Sequence, residues 1–158
     1  MRTDIDLCFL KYCSHTELRE LCDLLTHDEK GNLTETTAFS SEIVDGGVYA
    51  IRTAFANRGL DIYRSETADG TKVISYNWNN TNNQKFRIKQ VEGTEYYQIH
   101  SMLAEEKVLT VQSAGTAAGT VVCLSTNTGG THQQFSFVSN GNGEYRIVPR
   151  HAPAMCLD

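Results

Sequence analysis

Apolar and polar residues follow two different rhythms along this chain. Over residues 3 to 25 the apolar positions recur with helical spacing. Ile5, Cys8, Phe9 and Tyr12 fall at i, i+3, i+4 and i+7, and Leu18, Leu21, Cys22 and Leu25 form a second stripe. Such a stripe is what one face of a helix buries. Thr3 or Asp4 can cap the first helix. Ser14 and Glu17 have capping-box spacing, in which each side chain accepts from the other residue's backbone N–H. Asp28 to Asn32 reads as a turn. The pattern predicts an α-helical hairpin within residues 1–42. At about 25 residues it is too small for a core of its own. It is expected to pack on the neighbouring domain, a second copy or a protein partner.

The stretch from Ala38 to Gly47 is polar and ends in glycines, and beyond it the period falls to two. Strand-like runs appear at Val48 to Thr53, Lys72 to Tyr76, Phe86 to Val91, Tyr96 to Ser101, Thr120 to Ser125 and Phe135 to Val138. Gly, Asn, Asp and Thr turns separate them. Many short strands with regular turns predict a mainly β domain over residues 47–158. An internal repeat sharpens this. Tyr49, Tyr97 and Tyr145 head three similar segments, with 97 − 49 = 48 and 145 − 97 = 48. Gln84-Lys85-Phe86 and Gln133-Gln134-Phe135 supply a second anchor, 49 residues apart. Two anchors in register argue for a repeated unit and against chance likeness.

These residues carry a family resemblance. A Tyr-x-Ile strand leading to Leu60-Asp61, a later strand with aromatics, and the closing Asn83-Gln84-Lys85-Phe86 resemble a repeat of the ricin-B-like lectins, particularly the fungal type. Phe86 stands where that family usually closes its Gln-x-Trp motif with Trp. The resemblance is specific in repeat one, moderate in repeat two and fragmentary in repeat three. It implies a (partial) β-trefoil of two full repeats and the opening of a third. Three arrangements would account for the shortened third repeat: a fragment, two copies completing each other, or helices covering the gap. A homodimer and helix cover are the favoured expectations. The first 35 residues or so are similar to a small helical domain of unknown function from bacterial proteins, which implies docking and no chemistry.

Composition narrows the partners. The formal charge is −5, and Lys and Arg are nowhere concentrated. Nucleic acid and anionic membrane surfaces are thereby disfavoured, because both need a basic footprint. No run approaches the ~18 apolar residues of a membrane span. The N-terminus lacks the features of a signal peptide, so a cytoplasmic protein is expected, or one exported without a cleaved signal. The five cysteines are odd in number with no Cys-x-x-Cys pair, which predicts free, partly buried thiols. The sequons at Asn32 and Asn79 are then expected to go unused.

Sugars are held by a carboxylate or amide gripping adjacent hydroxyls and an aromatic face against the ring's C–H side. Repeat one offers both. The resemblance implies Asp61 as acceptor from two hydroxyls, Asn83 as second polar contact and Gln84 as brace. Tyr76 or Trp78 is the platform, and Asn79 adds a contact from the loop. Asp61 read without the resemblance is a turn cap, and Trp78 a core residue. Repeat two has Thr110 for the Asp, Leu124 or Ser125 for the aromatic and His132 for the Asn, so no sugar is expected there. Repeat three has Asp158 in the equivalent place. One site implies an affinity of roughly millimolar to high micromolar.

No cofactor and no metal are expected. Cys13, His15, Cys22 and His27 fit no standard zinc spacing. His151 and Cys156 lack a third orienting group. Glu105-Glu106 reads as a solvated turn and not a glycosidase pair. The sequence therefore predicts a non-catalytic carbohydrate-binding module for galactose-type or related glycans. A trefoil protease inhibitor acting through exposed loops, or an adaptor with a vestigial sugar site, are the alternatives.

Overall fold

The computed structural model describes residues 43–53, 57–141 and 144–158, and before them the backbone of three short strands. Among the described residues the strands run in chain order β1 Asp6–Leu7, β2 Leu10–Tyr12, β3 Leu18–Glu20, β4 Val48–Tyr49, β5 Ile51–Thr53, β6 Arg58–Ile62 and β7 Thr71–Asn77. They continue with β8 Phe86–Gln90, β9 Tyr97–Ser101, β10 Lys107–Val111, β11 Val122–Thr126, β12 Phe135–Gly141, β13 Glu144–Pro149 and β14 Met155–Leu157. Short 3-10 turns at Tyr63–Ser65, Asn82–Gln84, Gln112–Ala114 and Thr131–Gln133 join them. The described residues contain no α-helix.

The repeat seen in the sequence is a repeat in space. In the first unit β6 and β7 form an antiparallel hairpin over Arg58↔Asn77 to Ile62↔Val73. In the second, β10 and β11 do the same over Lys107↔Thr126 to Val111↔Val122. Each unit closes on a fourth strand, β8 or β12, lying between two first strands. Phe86 pairs with Tyr49 of its own unit and with Ser101 of the next. Phe135 pairs with Tyr97 and with Pro149. Both phenylalanines are completely buried, in one cluster with Ile51, Leu60, Ile62, Ile99, Leu109 and Ile147. Burying a ring of that size is worth about 1.5–3 kcal/mol. Phe86 and Phe135 thus both serve as core residues of their closing strands.

The turns repeat as well. Arg64 and Ser65 after β6, and Ser113 and Ala114 after β10, share the left-handed conformation, with φ of 55°, 58°, 53° and 51°. Non-glycine residues visit this region rarely. Its recurrence at matching places marks a fixed feature of the unit. The expected strands are observed, with ends shifted by up to three residues, as strand ends commonly are, and with the Val48–Thr53 run split at Ala50.

The α-helical hairpin expected in residues 1–42 is not supported. Its described residues, Asp6–Leu7, Leu10–Tyr12 and Leu18–Glu20, are antiparallel strands paired with β7, β14, and β13 together with β5. The physical reason lies in the sheet. Edge strands carry rows of backbone donors and acceptors that need partners, and such pairing outweighs a weak local helix preference. Short apolar runs are also ambiguous between the two periods. The proposed caps Thr3, Asp4, Ser14 and Glu17 lie outside the described residues, as do Cys13, His15, Cys22 and His27.

Candidate functional site

The β6–β7 hairpin and the 3-10 turn at Asn82–Gln84 bring the repeat-one residues together. Asp61 lies opposite Ile74, and Tyr76 lies opposite Gly59 two residues along, so Asp61 and Tyr76 share one face of the hairpin. The 3-10 turn swings Asn83 and Gln84 back onto the same spot. Asn83 Nδ2 donates to Asp61 Oδ2 at 2.9 Å, and Gln84 Nε2 donates to the same oxygen at 3.0 Å. Asp61 and Gln84 are fully buried and Asn83 nearly so. A buried carboxylate is tolerable only with such donors.

Gln84 has a second task. Its Nε2 also donates to the Asn77 carbonyl at 2.8 Å, and its Oε1 accepts from the Asn79 backbone N–H at 2.8 Å. The loop from Asn77 to Asn83 is therefore built around one amide. Asn79 Oδ1 accepts from the Thr81 N–H at 3.1 Å and from its hydroxyl, while the same hydroxyl also reaches Asn83 Oδ1. This Thr81 hub went unnoticed in the sequence, although Asn-x-Thr spacing is a known side-chain-to-backbone turn signal.

The aromatics differ in availability. Trp78 is half-buried, with the Arg52 guanidinium 5.4 Å from its ring centroid. Gly59 lies close by; a Cβ there would sit 3.8 Å from Trp78 Cε3 and 3.0 Å from the Ile51 carbonyl oxygen. Trp78 thus lies beside glycine in β6 and makes a cation–π contact with Arg52 of β5. Tyr76 is also half-buried and faces a residue with no side chain. Asn77 and Asn79 are exposed.

Repeat two keeps the glutamine brace and lacks the carboxylate. Gln133 Nε2 donates to Thr110 Oγ1 at 3.1 Å and to the Thr126 carbonyl at 2.9 Å, and its Oε1 accepts from the Thr128 N–H at 2.8 Å. The geometry copies Gln84 bond for bond, with a hydroxyl in place of the carboxylate. A cavity of about 310 Å³ opens over Thr110, Ser125, His132 and Gln133. Burial, with the neighbouring His151, holds His132 below the ordinary imidazole range. At the cavity's rim Asp69 accepts from Lys107 Nζ at 2.6 Å and from the Thr126 N–H at 2.8 Å, joining the two repeats. Those bonds hold its carboxyl below the usual carboxylate range. No local sequence signal announces a contact between residues so far apart.

The described residues of the other sets read in the sequence have partners of their own. Cys156 is buried, and His151 Nε2 lies 3.0 Å from the Gly115 carbonyl. Glu105 and Glu106 occupy an exposed turn, where Glu105 pairs with Arg87 at 3.2 Å and Lys89 at 3.6 Å. Cys123 is a free thiol pushed up by burial. Among the described residues, no helix is long and apolar enough to cross a membrane.

The repeated hairpins and the buried aromatic closing strands define a trefoil unit, and the comparisons place it in a family. Residues 38–125 and again 82–158 match the family described as "Ricin-type beta-trefoil lectin domain-like", and the chain belongs to that family. Residues 1–33 match a "Domain of unknown function (DUF3944)". Flavastacin of Elizabethkingia meningoseptica is 39% identical over 120 residues, which is 75% of this chain and 27% of that protein. The chain thus spans about a quarter of the length of this curated relative. The designed three-fold symmetric protein ThreeFoil is 33% identical, with a TM-score of 0.57 over 61% of this chain and 67% of its own. A mosquitocidal holotoxin shares the fold at 22% identity, with a TM-score of 0.65 over 82% of this chain and 16% of that one.

Proposed function

We propose that this chain is a non-catalytic carbohydrate-binding module with one sugar site, in the first repeat of its trefoil domain. The observation that carries the reading is the Asp61–Asn83–Gln84 cluster beneath Tyr76, beside a second repeat that keeps the glutamine brace without the carboxylate. Were the cluster only a fold requirement, repeat two would need it too, and it folds with Thr110 in that place. Asp61 accepts from two adjacent hydroxyls and Asn83 makes the second polar contact. Tyr76 is the platform, since Arg52 already occupies Trp78. Asn79 reaches the ligand from the exposed loop, and Gln84 positions the others.

Asp61 has no exposed surface, so binding includes an opening step. Affinity for a state that is only partly populated falls by the populated fraction, which fits a weak single site of roughly millimolar to high micromolar Kd. Galactose-type glycans are the proposed class, and a dimer gains through multivalency on a polyvalent ligand.

Trp78 is the sole tryptophan and lies next to the proposed platform, so its fluorescence reports on the site. Titration with galactose, lactose and a glucose control is expected to give a saturable emission change for the galactosides, and none in Asp61→Ala. A flat response to all three sugars by folded protein, with no change in amide NMR shifts around Tyr76, would overturn the reading.

A further inference from the structure

The third repeat offers two strands of its own, β13 and β14, and the places of its third and fourth strands are defined by the other two repeats. In each complete unit the fourth strand places one apolar residue opposite two fixed positions: the leading Tyr of its own unit, and the fourth residue after the leading Tyr of the next. Phe86 faces Tyr49 and Ser101, with 97 + 4 = 101. Phe135 faces Tyr97 and Pro149, with 145 + 4 = 149. For the third unit the corresponding positions are Tyr145 and Thr53, with 49 + 4 = 53. Leu18 of β3 is paired with both. Arg19 and Glu20 continue the ladder to Arg52 and Ile51.

The third-strand place is taken in the same way. In units one and two the residue before or at the Asp position's leucine faces the third strand: Leu60 pairs with Ser75, and Leu109 with Leu124. In unit three Leu157 pairs with Leu10 of β2, and Cys156 and Met155 pair with Lys11 and Tyr12. Chain order is kept, since the third-strand substitute precedes the fourth. From third-strand anchor to closing residue the intervals are 86 − 75 = 11 and 135 − 124 = 11, against 18 − 10 = 8. The connection is three residues shorter and the register is unchanged.

We propose that Leu10–Tyr12 and Leu18–Glu20 are the third and fourth strands of the third trefoil repeat, supplied by the same chain. Among the described residues, the third repeat is then assembled from two stretches far apart in sequence, Leu10–Tyr12 with Leu18–Glu20 and Glu144–Pro149 with Met155–Leu157. The segment matched as a separate domain over residues 1–33 contains part of the lectin fold, and the division near residues 42 to 47 separates two parts of one domain. The physical drive is the closure of the β13, β14 and β5 edges, whose backbone groups otherwise need other partners. A chance adhesion of the N-terminal segment to open edges has no reason to reproduce two registers at Leu18 and a third at Leu10.

Hydrogen exchange on the full chain, with nuclear Overhauser contacts on the same sample, tests this. The amides of Leu18–Glu20 are expected to exchange roughly 100-fold or more slowly than unstructured chain, and Arg19 to show cross-strand contacts to both Arg52 and Glu144. Arg19→Pro removes a ladder donor. It should accelerate exchange in Ile51–Thr53 and Glu144–Pro149 while Lys107–Val111 and Val122–Thr126 stay protected. Free exchange of residues 10–20 in the wild type would overturn the proposal, with no variant needed. So would the Arg19 contacts appearing only between differently labelled chains in a mixed sample.

Discussion

Asp61 receives amide protons from Asn83 and Gln84 on one carboxylate oxygen, inside a site closed to water. Removing the acceptor leaves two buried donors without it, a loss of about 1–3 kcal/mol. Asp61→Ala is therefore expected to lower stability by that amount in chemical denaturation while staying folded, and to abolish sugar binding. A variant as stable as wild type would show that the carboxylate is not held as described. His100 carries a different dependence. Its Nδ1 is 2.6 Å from the Glu105 carbonyl, and its buried Nε2 finds no hydrogen-bond partner among the described residues. Burial, helped by Lys89 and Arg87, pushes its pKa down against the opposing bond to Glu105. With the folded value below the ordinary ~6.5, the unfolded chain binds the proton first. Stability is full above that pH and declines as the pH falls through it. His100→Asn, which keeps a donor for the carbonyl, should flatten the decline in thermal melts between pH 7 and pH 5. An unchanged slope would move its origin elsewhere.

At the scale of elements, the two glutamine-braced loops make a controlled pair. Gln84 and Gln133 hold equivalent loops by equivalent bonds. Gln84→Ala and Gln133→Ala should therefore cost similar stability, roughly 1–3 kcal/mol each, while only Gln84→Ala weakens the sugar response. Equal loss of binding in both would point to a site shared between repeats. Phe86→Ala should cost more, about 3–5 kcal/mol, as a large core truncation. What the sequence disclosed at this scale follows from the same physics. The Tyr49, Tyr97 and Tyr145 spacing and the Gln-x-Phe motifs were legible because the leading Tyr and closing Phe face each other in the ladder. The strand character of Leu10–Tyr12 and Leu18–Glu20 was not, because their partners lie at the other end of the chain and their local spacing suits a helix. The residues Asp61, Asn83 and Gln84 were readable through the family resemblance of repeat one. The burial of Asp61, the engagement of Trp78 by Arg52 and the Asp69–Lys107 link were not, since each depends on contacts made only in three dimensions.

Over the whole molecule, two braced repeats share one core, and a buried carboxylate in one of them marks the proposed sugar site. If the proposed site takes a neutral sugar through buried hydrogen bonds, its binding should change little with salt, unlike association driven by exposed charges. The measurement that bears most directly on the account is a glycan array probed with wild type and Asp61→Ala side by side, each shown to be folded. Wild type is expected to give signal on galactose-type glycans, strongest where they are displayed densely, and the variant to lose it. Equal signal from both proteins would place the site elsewhere, and silence from a folded wild type on every glycan would contradict the lectin reading itself.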